Sequence, residues 1–173
     1  MNQSFLGDSY DLVKRFFCHE LTVLGYGVLI EPMFTDNWNG KEDNFFRLVG
    51  ATPTLISHPS SSRTALFFDP DTGINEKGGK QHVSFDRLAQ ETKEYELVFS
   101  FDQSFSRQAK ASLVMQQKLA ALQDRGCHAM YYDSHARFLF TSTRRIYLNE
   151  LRLHLVGLGL PSERLVQRIA VAG

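Results

Sequence analysis

The sequence predicts a three-layer α/β sandwich: a mostly parallel sheet, helices on both faces, and an antiparallel hairpin at the C-terminal edge. Three observations carry that reading. Short apolar runs alternate with amphipathic stretches along most of the chain. Three of those runs, Val28-Leu29-Ile30, Ala65-Leu66-Phe67-Phe68 and Leu97-Val98-Phe99-Ser100-Phe101, each halt on an acid: Glu31, Asp69 and Asp102. Two later apolar runs flank the tight turn Asp133-Ser134-His135, which is a hairpin signal. A chain of 173 residues is long enough for one well-covered core and short for two, so 1–173 reads as a single domain.

The elements follow in order. Ser9 to Leu24 carries Leu12, Val13, Phe16, Phe17, Leu21 and Leu24 on a helical stripe interrupted only by Glu20. Asp8 or Ser9 is its N-cap and Gly25 its stop. Gly27 to Glu31 is a strand closed by Pro32. Asp36 to Gly40 is loop, with Trp38 read as a packing anchor in preference to a lid, and Glu42 to Val49 makes two helical turns. Thr54-Leu55-Ile56 reads as a short strand and His58 to Ser62 as a flexible linker. Ala65 to Phe68 is the central strand, turning at Pro70 to Gly73. Ile74 to Gln81 is polar and contains glycine, so it reads as a mobile loop. Ser84 caps a helix through Leu88 and Ala89, and Glu96 to Phe101 is the third strand. Gln108 to Gln123 is the clearest amphipathic helix. Cys127 to Tyr132 pairs with Ala136 to Thr141, Tyr147 to Leu158 is the last long helix, and Ser162 starts a short terminal one.

Composition narrows the function classes. Lys plus Arg and Asp plus Glu both number 19, so no global charge draws the chain to nucleic acid or membrane, although a local basic face remains open. The start of the chain lacks the apolar core of a signal peptide, and no apolar run approaches the roughly 20 residues that span a bilayer. Cys18 and Cys127 lie in apolar surroundings and form no CxxC pair, which points to buried thiols in a reduced, cytoplasmic protein. No GxSxG, Walker loop or GxGxxG is present. The histidines have no zinc-ligand spacing with the cysteines.

Right-handed crossovers put the ends of the three acid-terminated strands on one edge, where open α/β sheets bind ligands. Glu31, Asp69, Asp71 and Asp102 are therefore expected to converge there. Clustered carboxylates persist where a cation, a proton or a substrate donor offsets their repulsion. The plain alternative is an Asx turn at Asp69-Pro70-Asp71 before Gly73. Asp8, Asp11 and Lys14 recur every three residues, so they share one face of the first helix, and Lys14 lies close enough to the packed stripe to reach the crevice. After the third strand, Gln103, Ser104 and Arg107 suit hydrogen bonding to a base edge or phosphate, though a helix cap explains that segment equally well. Lys80 sits in the loop that follows the central strand.

Two patches resemble a known family. Gly7-Asp8-Ser9-Tyr10-Asp11-Leu12-Val13-Lys14 is similar to the Gly-Asn-x-x-Asp-Val-x-Lys-His opening of the ribosomal RNA adenine-N6 methyltransferases and related methyltransferase-like proteins. Phe68-Asp69-Pro70-Asp71 resembles the Asp-Pro-Pro-Tyr motif after their fourth strand, and the closing hairpin is similar to the reversed last strand pair of that Rossmann-like fold. The motif matches cover about a dozen residues. The resemblance implies that Asp8, Asp11, Lys14 and Glu31 help hold S-adenosylmethionine and that Asp69 with Pro70 accepts the target amine. Two departures stand out: Glu31-Pro32-Met33-Phe34 replaces the glycine-rich turn after the first strand, and Asp71-Thr72 replaces the second proline and the stacking aromatic.

Three functions follow as expectations. The leading one is a methyltransferase-like enzyme acting on nucleic acid or a nucleotide. Asp69, Asp71, Lys14 and Asp102 would carry its chemistry, and Gln103, Ser104, Arg107 and Lys80 would bind its substrate. The second is a Mg²⁺- or Mn²⁺-dependent phosphodiesterase or nuclease, with Asp69 and Asp71 as metal ligands beside Glu31 and Asp102. The third is an inactive Rossmann-like binding or accessory protein.

Overall fold

Asp8 starts the fold: its side chain accepts hydrogen bonds from the backbone nitrogens of Tyr10 and Asp11 and caps helix α1 (Ser9–Val23). The computed structural model describes residues 3–54, 61–105 and 110–168. Strand β1 (Tyr26–Pro32) follows, then α2 (Glu42–Val49), β2 (Thr52–Pro53), β3 (Arg63–Asp69), β4 (Gly73–Asn75) and β5 (His82–Ser84). The second half holds α3 (Phe85–Glu91), β6 (Leu97–Phe101), α4 (Ala111–Asp124), β7 (His128–Tyr132), β8 (Phe138–Ser142), α5 (Arg145–Gly157) and β9 (Leu165–Gln167).

Seven strands form one sheet in the order β2-β1-β3-β6-β8-β7-β9. The first four run parallel. The hairpin then folds back so that β8 lies between β6 and β7, antiparallel to both, with β9 antiparallel at the outer edge. Because side chains alternate along a strand, the sheet feeds two cores. On one face Ile30, Phe67, Phe99, Phe138 and Phe140 meet Phe17 and Leu21 of α1, Phe45 of α2 and Leu151 and Leu155 of α5. On the other, Leu29, Leu66, Phe68, Val98 and Leu139 meet Leu88 of α3 and Met115, Leu119 and Leu122 of α4. Stacked rings cross the sheet from Phe67 to Phe99 (centroids 4.6 Å apart) and from Phe99 to Phe140 (5.6 Å). Each such pair adds about 0.5–1.5 kcal/mol beyond its buried area.

The fold is thus the three-layer, mostly parallel α/β sandwich the alternation predicts, with its hairpin at the C-terminal side. Both cysteines are buried and free. Trp38 is 1% exposed and packs against Phe34 with ring centroids 4.3 Å apart, so it is a packing anchor. Among the described residues no helix is long and apolar enough to cross a membrane.

Some local expectations are corrected. The short strand expected at Thr54 to Ile56 begins earlier, as β2 beside β1; Leu55, Ile56 and most of the linker at His58 to Ser62 lie outside the described residues. Ile74 to Gln81 is not loop throughout, because β4 and β5 pair in a small parallel sheet of their own. That sheet is clamped against the end of β6. Gly73 has φ +122°, and a Cβ there would lie 2.2 Å from Asp102 Oδ1, so no other residue fits without displacement.

Candidate functional site

Helix α1 brings its first turns to the carboxyl ends of β3 and β6. Asp11 and Lys14, three residues apart, share one face, and the Lys14 side chain reaches inward across the sheet edge. Its Nζ donates to Asp11 Oδ1 and to Asp69 Oδ2, both at 2.9 Å. Asp11 and Asp69 are fully buried and Lys14 nearly so, at 4% exposure. The second Asp11 oxygen accepts from the Gly7 backbone nitrogen at 2.8 Å. Phe45 and Phe101 place their rings 5.6 and 5.2 Å from the ammonium. One oxygen remains: Asp69 Oδ1 is buried and has no hydrogen-bond partner among the described residues.

Burial by itself pushes the Lys14 ammonium down, but Asp69 and Asp11 outweigh it and hold its pKa above the ordinary lysine value. Burial also drives the Asp69 carboxyl up, against the pull of Lys14 and with the help of Asp11. One buried cation thus faces two buried carboxylates, and a further donor would relieve Asp69.

That donor has room. A cleft of about 200 Å³ opens over the group, with Phe5, Tyr10 and Phe101 as aromatic wall and Asp8, Asp71 and Gln103 as polar lining. At its rim the Tyr10 hydroxyl and His135 Nε2 are hydrogen-bonded at 2.9 Å, and Gln103 Nε2 donates to the His135 carbonyl at 2.7 Å. Compared with known proteins, the chain matches no family model, no curated protein and no solved structure. The site therefore rests on its own geometry.

Asp8, Asp11, Lys14, Asp69, Asp71 and Gln103 meet in this cleft. Glu31 and Asp102 do not, and strand register is the reason. Glu31 pairs with Phe68, and Pro32 with Asp69, so Glu31 faces the opposite side of the sheet from Asp69. There Arg87 of α3 binds it. Phe68 pairs with Ser100, so Phe101 falls opposite Asp69 and Asp102 lies one place further, again on the far face.

Asp102 is fully committed there. Its Oδ2 accepts from Lys118 Nζ and from the Tyr131 hydroxyl, each at 2.6 Å, and its Oδ1 accepts from the Ile74 nitrogen at 3.0 Å. Ser104, expected to bind substrate, has its hydroxyl 2.6 Å from both the Ile74 carbonyl and Asp102 Oδ1, which compete for its one proton, and accepts from Lys118. Burial lowers the Lys118 ammonium and raises the Tyr131 phenol well above its usual value. This is a clip joining β4, β6, α4 and β7, and it leaves no acceptor for a ligand.

Lys80 lines a second, wider opening of about 860 Å³ with Glu31, Met33, Phe34 and His82. Arg107 lies outside the described residues. Among those described, no group of three or more His, Cys, Asp or Glu side chains stands together so as to hold a metal ion.

Sequence reasoning missed Tyr10, His135, Lys118 and Tyr131. Lys118 was detectable: it interrupts the apolar stripe Met115, Leu119, Leu122, and a lysine on a buried stripe calls for a buried acid.

Proposed function

We propose that the protein is a methyltransferase-like enzyme that acts on an amine of a nucleic acid or nucleotide, in the cleft around Asp69-Pro70-Asp71. The observation that carries this reading is Asp69 Oδ1, a buried acceptor without a hydrogen-bond partner among the described residues, on a residue that ends the central strand and lines that cleft. A buried polar atom of this kind costs about 1–3 kcal/mol, and an N–H of a bound ligand offsets it. The sheet supports the reading too, because the chain closes its parallel strands with an antiparallel pair, β7 and β8, in keeping with the reversed last strand pair of the resemblance.

The residues fit the cationic end of S-adenosylmethionine. Its sulfonium and amino groups are positive, and Asp8, Asp11, Asp69 and Asp71 outnumber the single ammonium of Lys14 in the lining. When bound, that molecule supplies an electrophilic methyl group. The chain's own part is positional. Lys14 and Asp11 fix the Asp69 carboxylate, and Asp69 accepts a hydrogen bond from the amine and orients its lone pair. Burial raises the Asp69 carboxyl, which makes the carboxylate a better acceptor for the proton the amine releases. Phe5, Tyr10 and Phe101 exclude water. At about 200 Å³ the cleft is smaller than the roughly 300–1,000 Å³ of pockets that enclose whole ligands, so it takes the reacting end of one.

The phosphodiesterase reading requires Glu31, Asp69, Asp71 and Asp102 around one point, and the register separates Glu31 and Asp102 from the other two. Calorimetry with S-adenosylmethionine, followed by transfer of a labelled methyl group to oligonucleotides and free nucleotides, tests the proposal. Wild-type protein is expected to give heat and transfer, and Asp69→Asn to lose about 10²-fold or more in rate. No heat at millimolar cofactor removes the methyl-transfer reading.

A further inference from the structure

The rim of the cleft adds a specificity element that the motif residues do not contain. His135 belongs to the turn between β7 and β8, while Tyr10 and Gln103 come from α1 and from the segment after β6. Two hydrogen bonds to the one histidine tie these segments together, the ring to the Tyr10 hydroxyl and the backbone carbonyl to the Gln103 amide. A backbone carbonyl can only accept, so the end of Gln103 facing His135 is its NH₂. The amide is thereby locked with its oxygen, Oε1, as the end left over.

The same accounting holds for the rest of the lining. The Lys14 ammonium donates to Asp11 and Asp69, the Tyr10 hydroxyl is shared with His135, and the Gln103 NH₂ is spent on a carbonyl. Two acceptors remain in that lining: Asp69 Oδ1, buried and without a hydrogen-bond partner among the described residues, and Gln103 Oε1, the end of the amide not turned to His135.

We propose that Gln103, oriented by the His135 carbonyl, is a specificity-determining residue that makes the cleft select ligands bearing an amino group over the same ligands bearing a carbonyl. An amino group offers hydrogens to Asp69 and Gln103. A carbonyl in its place sets oxygen against oxygen, and the buried acceptor stays unpaired. Sites that hydrogen-bond a donor reject analogues lacking it far more sharply than apolar pockets reject a change of size. The proposal deepens the functional reading above, because it concerns the same cleft, but it does not depend on methyl transfer.

The test compares adenosine with inosine, and cytidine with uridine, each pair differing by amino against carbonyl. Binding is read by titration with saturation-transfer NMR, without cofactor. Wild-type protein is expected to bind the amino member at least about tenfold more tightly, as for one hydrogen bond to a buried charged acceptor. Gln103→Met keeps the length and removes the oxygen, and is expected to cut that ratio several-fold while leaving inosine and uridine unchanged. Equal affinity within both pairs, or no binding of any of the four at millimolar concentration, overturns the proposal, and so does an unchanged ratio in Gln103→Met. If that variant does not fold, Gln103→Leu, which also lacks the oxygen, is read in its place. Amino selection that Gln103→Met weakens, found without S-adenosylmethionine binding, upholds the Gln103 assignment and removes only the methyl-transfer reading.

Discussion

Asp69 ends β3 and Asp102 directly follows the neighbouring parallel strand β6, yet their carboxylates lie on opposite faces of the sheet, because Asp102 comes one residue after Phe101, the position facing Asp69. Each has a buried lysine. Asp69 shares Lys14 with Asp11 and keeps one oxygen without a partner among the described residues, whereas Asp102 has both oxygens filled by Lys118, Tyr131, Ser104 and Ile74. One arrangement is open to a ligand and the other is closed.

The closed one is expected to matter for stability. Lys118→Met leaves the Asp102 charge buried without its cation, and about 3 kcal/mol or more of unfolding free energy should disappear in a urea titration. Tyr131→Phe removes one hydrogen bond to the same carboxylate and should cost less, about 1–2 kcal/mol. Gly73→Ala drives a methyl into Asp102 Oδ1 and is expected to cost about 3 kcal/mol.

At the open site the two substitutions differ in cost. Lys14→Met removes the ammonium that bridges Asp11 and Asp69, an expected loss of about 3–5 kcal/mol. Asp69→Asn leaves Lys14 paired with Asp11 and should lose clearly less. Matched chemical denaturation of the two variants checks the order, and an equal loss would mean that Lys14 does not hold the pair together.

Much of this was legible in the sequence, and what was not has a physical cause. Caps and long periodic stretches announced α1 through Asp8 and α3 through Ser84, and the spacing of Asp8, Asp11 and Lys14 placed all three on the face that meets Asp69. Strands β4, β5 and β9, three residues each, span too little of a period-2 pattern to be recognised. Convergence of Glu31, Asp69 and Asp102 failed for a different reason. The ends of strands can be counted from spacing, but the face on which a side chain emerges depends on pairing register, which long-range contacts decide.

Glu96 gives the pH dependence a sign. Its carboxylate accepts from the Thr64 backbone nitrogen at 2.7 Å and the Thr64 hydroxyl at 3.0 Å. Partial burial pushes the carboxyl up, but these bonds outweigh it and hold the pKa below the ordinary 4.5. A carboxyl depressed in the folded state stabilises it above the unfolded value, and the contribution fades as pH falls through the folded one. Stability measured from pH 7 downward should therefore drop more steeply below about 4.5 in wild-type protein than in Glu96→Gln. Parallel curves would contradict the assignment.

Trp38 offers a direct optical probe. It is the one tryptophan of the chain, 1% exposed among Phe34 and Phe45. Its emission should be blue-shifted when folded and move to the red on unfolding. Trp38→Ala should cost about 3–5 kcal/mol, since a large cavity opens beneath the loop before α2. An emission already at the red limit in native buffer would contradict its burial.

The insertion of β8 between β6 and β7 sets an order for biosynthesis. As the chain leaves the ribosome, β6 emerges with one flank unpaired, and its proper neighbour arrives only after α4, β7 and the turn at His135 have followed. Until then a run of Leu97, Val98, Phe99 and Phe101 is exposed to any other nascent strand. A chain cut after Tyr132 is expected to precipitate, whereas one extended through Ser142 should remain dispersed, a difference that light scattering on the two truncated products would register.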